Sequence, residues 1–449
     1  MPFSNLALHP TLVRGVRDLG FVRPTPIQVD AIPPALAGRD LLACASTGSG
    51  KTAAFLLPLL HRLVDRPRGS TRALVLAPTR ELAAQILSDL EELARHTRVT
   101  GAVIHGGVSM VPQERAFRRG VDVLVATPGR LLDHFQHPYA KLPALEYLVL
   151  DEADRMLDIG FLPAIRQVLR RIPKPKQTLF FSATIPPAVQ ELSREMLGSP
   201  VKIAVERRVA PAAGITQTVY PVAQELKSAL LLALLVSRRI DEALVFTRTK
   251  HRADRLARYL VRAGLSAERI HGNRSQGQRT KALAGFKNGQ FRVLVATDIA
   301  ARGIDIEALG HVVNFDVPTV PEDYIHRVGR TGRASATGEA FTFVSREESG
   351  ELVQIERAVG AKLPHATLEG FDYGARPESA LEVPRGERIS VIRARKAEDR
   401  ARAQAKASRR PGRRTDDGTV SPAATDDPPT RRQPSSGSVR HRSGARRRP

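Results

Sequence analysis

Three short stretches place residue types in spacings that suit phosphate chemistry. The first is Ala45 to Thr52, "ASTGSGKT". Gly48 and Gly50 let backbone N–H groups close around phosphate oxygens where a helix begins, Lys51 can reach terminal phosphates, and the Thr52 hydroxyl can ligate Mg2+. The usual pattern opens with Gly. Here Ala45 takes that place, and Ser46, Thr47 and Ser49 complete the loop. The plainer alternative is a glycine-rich turn that binds nothing.

The second stretch is Tyr147 to Leu157, "YLVLDEADRML". An apolar run leads straight into Asp151, Glu152 and Asp154, three carboxylates within four positions at the end of what reads as a buried strand. Like charges this close repel, and burial raises the cost. Either they sit in water at a solvated helix start, or a cation belongs there. With Mg2+ and a triphosphate on Lys51 and Thr52, Asp151 can reach the metal, largely through water, and Glu152 can accept a proton from the water that attacks the γ-phosphate. Asp154 is better placed to hold neighbouring loops.

The third stretch is Tyr324 to Arg333, "YIHRVGRTGR". Arg330 and Arg333 are three residues apart and share a face if helical, so both can project toward a γ-phosphate as arginine fingers. A basic surface helix is the alternative reading.

These residues need elements to position them. Short apolar runs, "DLLACAS", "RALVLAPT", "VDVLVATP", "YLVLDEAD" and "TLFFSAT", alternate with helical stretches such as "TRELAAQILSDLEELARH". A second series, "EALVFTRT", "RVLVATDIA", "HVVNFDVP" and "AFTFVS", alternates with "RADRLARYLVRAG" and "QRTKALAGFKNG". Strand and helix alternation predicts α/β domains with parallel sheets, whose ligands sit at the carboxyl ends of strands, where nearly every polar cluster falls. "VERRVAPAAGITQTV" between the two series loses periodicity and reads as a linker. The expected organisation is a first domain over 1–205, a linker over 206–215, a second domain over 216–374 and a tail over 375–449.

The composition agrees with a nucleic-acid partner. The chain has 449 residues, 42% hydrophobic, and a net charge of +23. Such an excess favours polyanions, nucleic acid before anionic membrane. The tail from Arg376 holds 20 Lys plus Arg against 9 Asp plus Glu with few large apolar residues, so it is expected to be disordered. The opening "MPFSNLALHP" has no signal-peptide pattern, and no apolar run approaches the roughly 20 residues that span a bilayer. No membrane association is expected, and a soluble cytoplasmic protein is. Cys44 is expected as a small buried strand residue, and His105 and His271 as loop-packing residues rather than metal ligands.

With "GFVRPTPIQ", "ASTGSGKT", "APTREL", Gly106-Gly107, "TPGR", "DEAD", "SAT", "VFTRT", "ATDIAARGID" and "HRVGRTGR" in order, the chain resembles the DEAD-box ATP-dependent RNA helicases over about residues 1–370. "HGNRSQGQR" and the short basic tail look most like the bacterial RhlE-like branch. The resemblance implies two tandem RecA-like domains, ATP and Mg2+ between them, and single-stranded RNA across their upper face. It implies that Gln28 reads the adenine edge, Phe21 stacks on the base with Phe3 behind it, and Asp305 meets the ribose beside Gly303. Ser182 and Thr184 would couple hydrolysis to closure through Asp154 and His326. RNA contacts would fall to Thr79, Arg80, Gly107, Thr127 and Arg130, then to Arg248, Arg279 and Thr297. Such donors suit phosphate and ribose, so binding should tolerate sequence. Ser46 departs from the glutamine that many members carry there.

The implied activity is ATP-driven separation of short RNA duplexes or remodelling of RNA–protein complexes. An ATP-gated clamp, or an RNA-binding and annealing protein acting through its tail, are the alternatives. Ribosomal-precursor and mRNA-decay complexes are family-level expectations for partners.

Overall fold

The computed structural model describes residues 2–45, 48–204, 214–301, 309–332 and 337–375. Ser46, Thr47, Gly303, Asp305, Arg333, most of the expected linker and nearly all of the expected tail lie outside the described residues.

Within these residues the chain builds two all-parallel sheets. The first has seven strands: β1 (Leu41–Cys44), β2 (Ala73–Leu76), β3 (Gly101–Ile104), β4 (Val123–Ala126), β5 (Tyr147–Leu150), β6 (Gln177–Ser182) and β7 (Val201–Ala204). Their spatial order is β3-β4-β2-β5-β6-β1-β7. The second has six: β8 (Ile215–Pro221), β9 (Ala243–Phe246), β10 (Ala267–Ile270), β11 (Val293–Ala296), β12 (His311–Asn314) and β13 (Gly338–Val344), in the order β10-β11-β9-β12-β13-β8. β8 starts within the stretch expected to be linker, where Ile215 pairs in register with Gly338.

Helices cover both faces of each sheet, which is why the central strands read as continuous apolar runs. In β2 the period of two sends Ala73 and Val75 into one core with Leu57 and Phe181, and Leu74 and Leu76 into another with Leu148 and Phe180. The connecting helices begin at side-chain caps. Thr79 Oγ1 accepts the Leu82 amide at 3.2 Å ahead of Arg80–Leu93, and Thr249 does the same for Arg252 ahead of Lys250–Arg262. Ser275 and Gln278 form a capping box at Gln276–Lys287.

Two expectations are corrected. The helix Pro321–Val328 ends at Gly329, whose N–H turns back to Arg327 O and Ile325 O, so Arg330 lies in the following turn and not on a helical face. Cys44 is half-buried: β1 alternates buried and partly buried positions, and the Cys44 thiol donates to Ala183 O at 3.4 Å.

Candidate ATP-binding and RNA-binding site

The carboxyl ends of β1 and β5 lie one strand apart, with β6 between them, so the loops that follow face each other. After β1, Ala45 is still bonded into the sheet, its N–H donating to Ser182 O at 3.0 Å, and the chain then turns through Gly48 and Gly50 at φ +77 and +92. A Cβ on Gly50 would meet Gln28 Nε2 at 2.5 Å, so glycine is required both by conformation and by space. Ser49 sits between them. Lys51 and Thr52 open the helix Lys51–Leu63.

Lys51 is 6% exposed, and its Nζ has no hydrogen-bond partner among the described residues. A buried ammonium without acceptors is costly, and phosphate oxygens at a helix N-terminus would satisfy it. Across the loop, Asp151 and Glu152 are 2% and 3% exposed. Burial pushes the Asp151 carboxyl up to about 6; the Lys51 ammonium pulls it down, and the Glu152 charge raises it further. This set of one hydroxyl and one desolvated carboxylate beside a cation fits Mg2+ held on Thr52 and Asp151, where the metal would neutralise phosphate charge. Glu152 takes a left-handed conformation, φ 50 and ψ 51, that non-glycine residues seldom hold. Its carboxylate faces the buried Arg155 at 3.6 Å.

The surrounding cleft encloses about 340 Å3 and is lined by Phe21, Gln28, Gly50, Lys51, Thr52, Asp151 and Glu152, and also by Arg330, which follows β12 of the second sheet. Phe21 is 44% exposed, its ring stacked at 6.4 Å on that of the buried Phe3. Gln28 is already engaged: its Oε1 accepts the Thr25 amide at 2.9 Å and its Nε2 donates to Gly50 O at 3.0 Å. One N–H and one lone pair remain for a ligand.

Asp154 points away from the cleft into the strand end of β6. Its Oδ2 accepts Thr184 N at 2.8 Å and Thr184 Oγ1 at 2.9 Å, and its own amide donates to Ser182 Oγ at 3.2 Å. His326 lines a small cavity with Arg155, Asp298, Arg327 and Arg330. Nothing in the sequence marked the support beneath it. Arg327 forms a two-pronged pair with Asp298 at 2.6 and 2.7 Å and donates to Asn314 Oδ1 at 3.1 Å.

The residues expected to meet RNA follow the strand ends of both sheets. Arg80 lies over the Gly106-Gly107 turn, so closely that a Cβ on Gly107 would meet Arg80 Nη1 at 2.1 Å. Arg130 donates to Val108 O at 3.1 Å, which brings the loops after β3 and β4 together, and Thr127 is the N-cap of Pro128–His134. In the second sheet, Arg248 donates its amide to Asp316 Oδ2 at 2.8 Å, and the Thr297 carbonyl accepts the amides of Ala300 and Ala301. Arg279 is turned toward the first sheet's helices, pairing with Glu81 Oε2 at 3.1 Å. Glu81 was missed in the sequence because only the folded chain shows its partner.

Residues 25–192 match the family model described as DEAD/DEAH box helicase, and residues 226–335 match the helicase conserved C-terminal domain. A DEAD-box ATP-dependent RNA helicase CshA of Bacillus cereus is 43% identical over 379 residues, covering 84% of this chain and 72% of that protein. An ATP-dependent RNA helicase RhlB of Pseudomonas syringae is 41% identical over 370 residues, covering 80% and 93%. Among solved structures, S. cerevisiae Dbp5 bound to RNA and ADP BeF3 superposes with a TM-score of 0.75 at 32% identity, covering 81% of this chain and 95% of that one.

Proposed function

The chain belongs to the DEAD-box family of ATP-dependent RNA helicases, and from that premise we propose that it hydrolyses ATP in the cleft around Lys51 to separate short RNA duplexes locally. The narrower likeness to the RhlE-like branch stays part of this proposal. The observation that carries it is the buried, unbonded Lys51 ammonium in one cleft with Asp151, Glu152 and an arginine from the second sheet.

In this reading Lys51 and the Gly48–Gly50 backbone hold the phosphates, Phe21 and Gln28 hold the base, and Thr52 with Asp151 hold Mg2+. Glu152 orients the attacking water and accepts its proton. Arg330, and with it Arg333, supplies positive charge from the second domain, so hydrolysis waits for the two domains to close. Asp154, Ser182, Thr184 and His326 tie the strand end of β6 to that closure. The ribose falls to Gly303 and Asp305. RNA lies along Thr79, Arg80, Gly107, Thr127 and Arg130, continuing over Arg248, Arg279 and Thr297. The domain limits 1–205, 216–374 and 375–449, a cytoplasmic setting, and ribosomal-precursor or mRNA-decay RNAs as substrates are carried on the family likeness.

The test compares the wild type with Lys51→Ala and Glu152→Gln in RNA-stimulated ATP hydrolysis and in release of a labelled strand from a short duplex. Lys51→Ala should abolish both. Glu152→Gln should bind ATP yet hydrolyse it slower by roughly 10² or more, the usual scale for losing a general base. Equal hydrolysis by wild type and Lys51→Ala would remove the assignment.

A further inference from the structure

Every strand of the first sheet is parallel, so all the loops that enter the strands lie along one edge, opposite the proposed ATP and RNA sites. These loops are residues 37–40, 64–72, 94–100, 120–122, 135–146, 170–176 and 197–200, and they hold eleven Lys or Arg against four Asp or Glu. Part of the excess is neutralised within the loops, where Arg68 pairs with Asp122 at 2.9 Å and Arg66 joins Arg72 and Lys176 on Glu146 at 3.5 Å. Three of the four acids are turned inward to hold the fold: Asp40 accepts Thr178 N at 2.7 Å and Gly198 N at 2.8 Å, Asp122 accepts Thr100 N at 2.8 Å, and Glu146 takes Arg72 and Lys176 at 2.7 and 3.1 Å. Lys141, Arg170, Arg171 and Lys174 are exposed, three of them around a groove between residues 135–143 and 170–173.

Complementing helix dipoles does not account for this. In a parallel α/β sheet the helix C-termini also end on this edge and favour cations. The second sheet has the same polarity, yet its corresponding loops, as far as they are described, 214, 237–242, 263–266, 288–292, 309–310, 329–332 and 337, carry four Lys or Arg against two acids. Among the described residues the larger excess belongs to the first domain.

We propose that this edge is a second RNA-binding face that engages the phosphates of duplex or structured RNA flanking the strand held across the two domains. The inference rests on the proposed RNA-dependent activity. A seven-stranded edge at about 4.8 Å per strand extends roughly 30 Å, which suits an extended polyanion and not a small anion. A protein partner is disfavoured because none of the large exposed hydrophobic side chains lies in these loops, and protein interfaces are anchored on such groups. Cations spread along an edge without apolar anchors bind phosphates by releasing counterions.

The experiment uses the full chain with Lys141→Gln, Arg170→Gln and Lys174→Gln combined; none of these side chains is needed at the ATP cleft. A second variant, Lys141→Arg with Lys174→Arg, keeps the charge. Affinity is measured across salt concentrations for a short single strand and for the same strand carrying a duplex flank. The triple variant should bind the flanked RNA about tenfold or more weakly, with its affinity for the bare strand unchanged. Its slope of log affinity against log salt should fall by about 0.9 for each duplex phosphate that the three cations neutralise in the wild type. The arginine variant should bind as wild type does, and ATP hydrolysis saturated with the short strand should be equal in all three. Unchanged affinity and slope for the flanked RNA, with RNA-stimulated hydrolysis intact, overturn the proposal and leave the face to an acidic protein. A wild type that RNA does not stimulate overturns instead the reading on which it rests.

Discussion

Glu81, on the helix after β2, and Arg279, on the helix after β10, form an ion pair 198 positions apart in the chain, with Oε2 and Nη2 at 3.1 Å and side chains 9% and 11% exposed. Gln276 Nε2 donates to the other oxygen of Glu81 at 2.8 Å. One carboxylate therefore joins the two sheets' helices beside Arg80. Two donors on a shielded carboxylate are each of the stronger, charge-assisted kind. Glu81→Gln leaves Arg279 shielded and without its counter-ion, a cost of about 1.5 to 3 kcal/mol for a hydrogen bond to a charged group. If this pair stabilises closure, the RNA concentration that half-saturates ATP hydrolysis should rise about tenfold or more, while nucleotide affinity without RNA stays as it was. An unchanged half-saturation would show that the pair does not report on closure.

Arg330 tests whether the cleft needs both domains. It lines the same space as Lys51 and Glu152, but from the turn after Pro321–Val328. A fragment ending near residue 205 keeps Lys51, Asp151 and Glu152 but lacks Arg330, so it should bind nucleotide and hydrolyse it far more slowly than the full chain. With Arg330→Ala, turnover of the full chain should fall by about 10³, as when a trans arginine is removed. A fragment that hydrolyses ATP as fast as the full chain would defeat the two-domain site.

Much of this arrangement was legible in the sequence, and what was not falls into two kinds. The nine strands read from apolar runs are the inner strands of the two sheets. The four not read, β3, β7, β8 and β10, are the edges. An inner strand is buried on both faces and shows as an uninterrupted apolar run, as "VLVA" does at Val123–Ala126. An edge strand is partly exposed: β7 "VKIA" and β10 "AERI" carry polar residues that obscure the pattern in four residues, and β3 "GAVI" is a short run opened by glycine. The site divides the same way. The phosphate loop and the carboxylates after β5 are local in sequence, so spacing marks them. Glu81 with Arg279, and Arg327 with Asp298, gain their meaning from a distant partner that no local pattern marks.

Gly107 gives a test of the proposed RNA path that leaves the ATP cleft alone. Its φ of +82 and the Arg80 guanidinium above it leave no room for a side chain. Gly107→Ala should displace Arg80 and strain the turn, at a cost on the order of 1 to 2 kcal/mol for the left-handed backbone alone. RNA affinity should fall at least about fivefold, with ATP affinity in the absence of RNA unchanged. If RNA binding is unaffected, Arg80 and this turn do not touch the strand.

The Asp151 carboxyl gives the last prediction, one that needs neither nucleotide nor metal. Buried in the cleft, it holds its proton up to about 6 in the folded protein, against an ordinary value of 3.8. Between these values the folded state binds more protons than the unfolded chain, so stability falls as pH rises through that window. The cost is absent below about 4, fully present above about 6, and at most about 3 kcal/mol. Asn has the same shape and no charge to desolvate. Asp151→Asn should therefore unfold at a higher denaturant concentration than wild type at pH 7.5, with the advantage shrinking at pH 5. Denaturation of both proteins without nucleotide, at matched salt across this range, gives the comparison. A wild type as stable as the variant at pH 7.5, or a difference that does not change with pH, would mean the carboxylate is not destabilised by its site.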